Sequence, residues 1–218
     1  MELSFDSLTS LEAYQWMTMA VVPRPIAWIT SRDPEGSVNV APFSFFTCLS
    51  AHPPLIGVTI MSRHGEAKDT LQNAQSTGDF VVNVVTEDTL EAANLTSIEA
   101  PHEFSEAEYA QLELMPSARV QAPRIRISPI QLECTWNRTI PFGMDDGESH
   151  PSHLLVGKIE HIHVDDAVLQ KGYVDPMRLK AVGRLGGPLY SGTTQVFRHD
   201  RPRYPDDAIT DETVRRLK

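Results

Sequence analysis

The clearest alternation of apolar and polar positions lies between residues 130 and 137. Ile130, Leu132, Cys134 and Trp136 alternate there with Gln131, Glu133, Thr135 and Asn137. A period of two puts each set on its own face, so the pattern predicts a half-buried strand. Ile26-Ala27-Trp28-Ile29-Thr30-Ser31 is β-branched and aromatic, which suits a pleated strand. Asp33-Pro34-Glu35-Gly36 is a turn sequence, and Ser37-Val38-Asn39-Val40 resumes the strand pattern, so a hairpin is predicted. Leu55 to Ile60 is a continuous apolar run and reads as a buried strand. Phe80 to Val85 and Leu154 to Val164 read as further strands, the latter with Gly157 as a candidate bulge. Pro42 and Pro53-Pro54 bracket an apolar stretch from Phe43 to Ser50 that is interrupted by Ser44, Thr47 and Ser50.

Helical patterning is confined to shorter pieces. Ala67 to Ser76 carries helix formers and stops at Gly78, a good C-terminal signal. Glu87 to Leu95 begins with acidic residues, as the helix dipole favours. Residues 101–116 read as a short helix and loop. Strands and helices do not alternate regularly enough for a doubly wound sheet. A mainly β fold is expected, built as a closed antiparallel barrel with a few peripheral helices, in a single domain. From Pro202 onward the chain is charged and proline-bearing, a tail or an arm that clasps a partner.

Charge narrows the function. Among 218 residues, 19 are Lys or Arg and 29 are Asp or Glu, a net charge of −10. Nucleic-acid binders draw much of their affinity from phosphate contacts, so an acidic chain with no basic block argues against one. The start, Met1-Glu2-Leu3-Ser4-Phe5-Asp6, has no cationic n-region, and no apolar run approaches the roughly 20 residues that span a bilayer. Cys48 and Cys134 form no CxxC pattern, which excludes a disulfide framework and a thiolate zinc site. They read as two buried thiols in a reducing, cytoplasmic setting. His150 and His153 flank Pro151, and His161 and His163 share a strand face, but no third ligand is marked, so no metal is expected. Ser44 lacks the GxSxG elbow of a hydrolase nucleophile. Neither GxGxxG nor GxxxxGK[ST] occurs; Gly183-Arg184-Leu185-Gly186-Gly187 lacks the spacing. A phosphorylated cofactor would therefore be held by side chains rather than a glycine cradle.

The informative segment runs from residue 23 to 86. It reads Pro23-Arg24-Pro25-Ile26-Ala27-Trp28-Ile29-Thr30-Ser31, then Asn39-Val40-Ala41-Pro42-Phe43-Ser44-Phe45-Phe46, then Ser62-Arg63, Lys68-Asp69-Thr70-Leu71 and Thr77-Gly78-Asp79-Phe80-Val81-Val82-Asn83-Val84. With Thr96-Ser97, Ser128-Pro129-Ile130-Gln131-Leu132-Glu133-Cys134, Arg184-Leu185-Gly186-Gly187 and Tyr190, this order resembles the flavin reductase-like, FMN-binding split-barrel family. That group includes flavoredoxin and the reductase components of two-component monooxygenases. The likeness covers about residues 15–200 and leaves 201–218 as the tail or dimer arm. It implies a split barrel, FMN as cofactor, NADH or NADPH as co-substrate, a homodimer, and a partner monooxygenase that receives reduced flavin. Shorter reductases of the family carry Asn-Ser where this chain has Ser44-Phe45. The longer, flavoredoxin-like members carry the version seen here, which leaves open whether FMN is released reduced or held as an electron-carrying group.

Chemistry and resemblance together assign candidate FMN residues. The phosphate needs cationic and hydroxyl donors, and Ser62, Arg63, Lys68 and Thr70 supply them near a helix start where free amides favour an anion. The isoalloxazine needs an apolar wall and donors to its polar edge; Ser44, Phe45 and Thr47 are the first choices. Asn39, Thr30 and Ser31 are candidates for the ribityl chain or ring edge. Trp28 either covers the flavin or fills the barrel. No catalytic acid or base is expected, because the redox chemistry belongs to the flavin. An acidic stretch over residues 99–113 is either a docking face for a redox partner or an exposed helix face.

Overall fold

The computed structural model describes residues 1–62, 65–143 and 152–201. Five α-helices are present there: α1 (Ser10–Ala20), α2 (Asp69–Thr77), α3 (Leu90–Leu95), α4 (Glu106–Tyr109) and α5 (Pro176–Leu179). The strands are β1 (Arg24–Pro25), β2 (Ala27–Arg32), β3 (Val38–Phe43), β4 (Phe46–Ala51), β5 (Pro54–Met61), β6 (Asp79–Val84), β7 (Leu114–Met115), β8 (Arg124–Ile125), β9 (Ile130–Phe142), β10 (Ser152–Val164), β11 (Leu169–Gln170), β12 (Tyr173–Val174), β13 (Val182–Arg184) and β14 (Tyr190–Gly192). None of these helices is long and apolar enough to cross a membrane.

Seven strands form one antiparallel sheet in the order β3-β2-β6-β9-β10-β5-β4. The predicted hairpin is β2–β3. Its turn is closed by Asp33, whose Oδ1 accepts the Gly36 and Ser37 N–H groups at 2.6 and 2.7 Å, while Gly36 takes φ +103°, a value a side chain would resist. The sheet does not form a closed ladder, which corrects the expected closed barrel. Its two outer strands, β3 and β4, are consecutive in the chain across a bend at Ser44–Phe45, and one bond, Thr59 N–H to the Phe45 carbonyl (2.8 Å), reaches from β5 to that bend. Pro42 offers no N–H for pairing. The Val40 N–H is taken by the Glu106 carboxylate at 3.2 Å instead of by another strand. The β3 edge is thus covered by α4 rather than zipped to a neighbour.

Both faces of β2 are buried. Ala27 and Ile29 join Phe43, Ile56, Val58, Leu71, Phe80 and Leu155 in one core, with α2 packed on it. Ile26 and Trp28 join Val40, Val85, Ala93, Ile125 and Val182 in a second. Each fully buried large side chain of this kind contributes about 1.5–3 kcal/mol.

The polar side of β9 is buried at its start, contrary to the period-two reading, and reaches solvent by Asn137. Gln131 and Glu133 are buried under residues 117–128. Glu133 accepts the Ala118 and Arg119 N–H groups at 2.7 and 2.6 Å and pairs with His163 at 2.6 Å. Burial opposes its charge, but those partners prevail and hold the carboxyl below its ordinary pKa. On β6, Asp79 accepts from Gln121 and Ala122, and Asn83 accepts from Ile125. Cys134 is buried, which pushes its thiol pKa up, whereas Cys48 is exposed on the edge strand β4. The expectation of two buried thiols therefore holds for Cys134 only.

Gly157 stands at a register shift between β9 and β10, as expected. A Cβ there would enter the ring of Phe80, which has no exposed surface to move into. Gly157→Ala is expected to destabilise the fold by about 1–3 kcal/mol through overpacking. Urea unfolding checks this; an unchanged midpoint would show that the sheet absorbs the methyl group.

Candidate functional site

Two cavities meet at the β3 end of the sheet. The first, about 650 Å³, lies between α1, the Pro42–Ser44 segment and the loop after β13. The second, about 500 Å³, lies between β3, the start of α2 and residues 96–102. Pro42, Phe43 and Ser97 line both, so the two are lobes of one groove.

Helix α1 walls the first lobe with Tyr14, Thr18 and Met19. It starts at a capping box: Thr9 Oγ1 accepts the Glu12 N–H, and Glu12 accepts the Thr9 N–H at 2.9 Å. Only Thr18 of this helix is buried, so the helix is held by what its C-terminal end touches. That contact is Arg24. Its guanidinium donates to the Thr18, Val21 and Leu185 carbonyls at 2.5, 2.9 and 3.0 Å, and Nε approaches Ser44 Oγ at 3.4 Å. It also lies 5.9 Å from the centre of the Phe45 ring, which stacks with Tyr14 at 6.3 Å. Burial lowers the Arg24 pKa from its ordinary value; nearby Arg184 acts in the same direction and Tyr14 opposes it. The lobe is lined by two arginines and no carboxylate.

The second lobe carries mixed charge. Lys68 is the N-cap of α2 and makes no side-chain cap bond; its ammonium lies 5.8 Å from the Phe43 ring centre. The first intrahelical bond runs from Leu71 N–H to the Lys68 carbonyl at 2.9 Å, so the Asp69 and Thr70 amides precede it. Thr70 Oγ1 is buried and accepts from Asn39 at 2.8 Å. Of the carboxylates lining this lobe, Asp69 and Glu106 are engaged. Asp69 is held by His102 at 3.0 Å, and the other His102 nitrogen lies 3.5 Å from Asp33. The Asp69 hydrogen bond, then Asp69 and Asp33 charge, raise the His102 pKa. Burial raises the pKa of Glu106, against the Val40 N–H bond.

The groove gathers some of the sequence candidates and not others. Ser44 lines the first lobe; Asn39, Lys68 and Thr70 line the second. Phe45 backs the first lobe through Tyr14 and Arg24. Trp28, Thr30 and Ser31 are fully buried and line neither lobe. Trp28 Nε1 donates to Thr96 Oγ1 (2.8 Å), Thr30 Oγ1 donates to the Pro123 carbonyl, and Ser31 Oγ accepts from Asn73 (3.3 Å). Thr47 is exposed on β4, away from the groove. Ser62 Oγ is buried and finds no hydrogen-bond partner among the described residues. Arg63, the His150 loop and the tail from Pro202 lie outside the described residues. The main omissions are Tyr14, Thr18, Arg24, Asn94, Ser97, Arg184 and Tyr190. The Thr9-x-x-Glu12 box was the available signal for α1, and an arginine between two prolines was the available signal at residue 24.

Comparison with known proteins gives the family. A model of the flavin reductase-like domain matches residues 19–181, and the chain belongs to that family. A protein of Halalkalibacterium halodurans is 43% identical over 203 residues, covering 93% of this chain and 97% of its own. Among solved structures, nitrilotriacetate monooxygenase component B of Bacillus cereus superposes with TM-score 0.87 at 34% identity, covering 91% of this chain and 98% of its own. The 2-nitrobenzoate 2-nitroreductase of Pseudomonas fluorescens gives 0.83 at 32%, covering 94% and 98%.

The His102 bridge is expected to titrate. Its folded pKa lies above the ordinary value of about 6.5, so its linkage is full below that pH and is lost as pH rises through the folded pKa. NMR of the His102 ring should show a midpoint above 6.5 that falls in Asp69→Asn. A midpoint at or below 6.5 in the wild type would mean the bridge does not form in solution.

Proposed function

We propose that the groove binds FMN and that the protein is an NAD(P)H:flavin oxidoreductase. The observation that carries this reading is the pairing of two unlike lobes across the Phe43–Ser97 ridge. FMN itself is bipolar, with a flat ring at one end and a phosphate at the other. The donors present fit it. At the second lobe, Lys68, Thr70 and the Asp69 and Thr70 amides that precede the first bond of α2 suit a phosphate, and Arg63 and Ser62 stand beside them in sequence. Asn39 lies within reach of the same end through its bond to Thr70. Towards the first lobe, Phe43 and Pro42 give an apolar wall, and the bend at Ser44–Phe45 leaves their amides outside the strand ladders.

Bound FMN supplies the hydride-accepting ring. The protein's residues bind, orient and exclude water. Tyr14, Met19 and Pro42 cover the first lobe, and Arg24 places positive charge beside it, where it favours an electron-rich ring. Transfer of the reducing equivalents to a partner oxygenase accords with the name of the Bacillus cereus neighbour. We also propose a homodimer: Leu11, Trp16, Met17 and Val21 of the α1 segment are exposed apolar side chains that a second copy would cover.

Calorimetry and a turnover assay test the reading together. FMN is expected to bind more tightly than riboflavin, and Lys68→Ala to weaken FMN about 10–100-fold while leaving riboflavin unchanged. NAD(P)H oxidation should rise with added free FMN. Equal affinity for the two flavins would remove the phosphate from the α2 end. A single stoichiometric bleaching of bound flavin, with no turnover on added FMN, would make the protein an electron carrier instead.

A further inference from the structure

Arg184 stands where two cavities join. With Asn94 and Tyr190 it lines the first lobe, and the same three residues line a third cavity of about 450 Å³. The far side of that cavity carries the exposed carboxylates Glu87 and Glu91. The Arg184 guanidinium is held in place: it lies 4.4 Å from the Tyr190 ring centre, donates to the Tyr190 hydroxyl, and donates to the Gly187 carbonyl at 2.7 Å. Among the described residues, neither Arg184 nor Arg24 forms an ion pair. Among the described residues no carboxylate lines the first lobe beside these two neighbouring guanidinium groups, in a chain of net charge −10.

We propose that this saddle receives the diphosphate of the nicotinamide dinucleotide, with the nicotinamide half in the first lobe and the adenosine half in the third cavity, and that NADH is preferred to NADPH. The proposal rests on the oxidoreductase reading and adds a site and a selectivity to it. A dinucleotide has two ring-and-ribose halves joined by a doubly charged bridge. The structure offers two hollows joined by a cation of the right sign, and a guanidinium suits phosphate oxygens in fork geometry. Glu87 and Glu91 decide the selectivity. A carboxylate accepts hydrogen bonds from a ribose diol and repels a 2′-phosphate. No glycine cradle is needed, which accords with its absence from the sequence.

Three measurements on the full chain with FMN in excess test this. Arg184→Gln should raise KM for NADH about tenfold or more, a larger factor than any change it makes in kcat or the FMN Kd. Wild type should bind ADP more tightly than adenosine by calorimetry, and Arg184→Gln should erase that difference. The double variant Glu87→Gln, Glu91→Gln should narrow the NADH-over-NADPH ratio while KM for NADH stays within a few-fold. Equal ADP binding by wild type and Arg184→Gln, or an unchanged KM, overturns the saddle. Equal use of NADH and NADPH by the wild type overturns the selectivity. A fall in FMN affinity in Arg184→Gln equal to the rise in KM would make the residue merely structural and also count against the site. ADP binding is read without turnover. A wild type that binds ADP through Arg184 yet oxidises neither nicotinamide would keep the saddle as an adenosine-diphosphate site and refute the oxidoreductase reading instead.

Discussion

A buried positive charge organises the functional end of the molecule. Arg24 is 7% exposed and has no carboxylate partner among the described residues; its charge is met by carbonyl oxygens and one hydroxyl. Burying a guanidinium costs several kcal/mol unless its donors are satisfied. The acceptors come from three places: the C-terminal end of α1, the loop after β13, and the bend between β3 and β4. A cation at the end of α1 also meets the negative end of the helix dipole. Arg24 holds the C-terminal end of α1, Tyr14 packs the middle of the helix on Phe45, and the helix makes the first lobe of the groove.

The same charge explains how the two lobes differ. On the α1 side the wall is cationic and free of acids. On the α2 side four carboxylates line the cavity with one lysine, a poor setting for an anion at first sight. The fold neutralises the nearest of them locally. His102 joins Asp69 to Asp33 across two elements, and Glu106 is spent on the exposed edge of β3. Glu66 and Glu99 line the same cavity, and Lys68, the Thr70 hydroxyl and two amides stand at the start of α2. The helix start can therefore present positive potential despite an acidic sequence.

Much of the framework was legible from local pattern. The β2–β3 hairpin announced itself through Asp33-Pro34-Glu35-Gly36, α2 through its stop at Gly78, and the β9–β10 irregularity through Gly157. These features are set by residues close in sequence. The losses came where distant segments decide. The polar residues of β9 looked solvent-facing because nothing local shows that residues 117–128 fold over them and donate backbone N–H groups to Glu133. Pro42 was read as a break, but the capture of the Val40 N–H by Glu106 is a contact across 66 positions, and it separates an open sheet from a closed barrel. Trp28, Thr30 and Ser31 were good donors and stacking groups by type, yet they sit on a strand buried on both faces. Asn39, Ser44, Lys68 and Thr70 line the groove because they flank the breaks that open it.

The most direct test of the two-lobed groove is amide hydrogen exchange of the full chain with and without saturating FMN. The Asp69 and Thr70 amides precede the first bond of α2, and those of Ser44 and Phe45 lie outside the ladders, so all four should exchange fast in the free protein. FMN is expected to slow exchange in both segments together, with little change at the β11–β12 hairpin. Protection confined to one segment, or found instead on the far ends of β9 and β10, would contradict a ligand that spans the Phe43–Ser97 ridge.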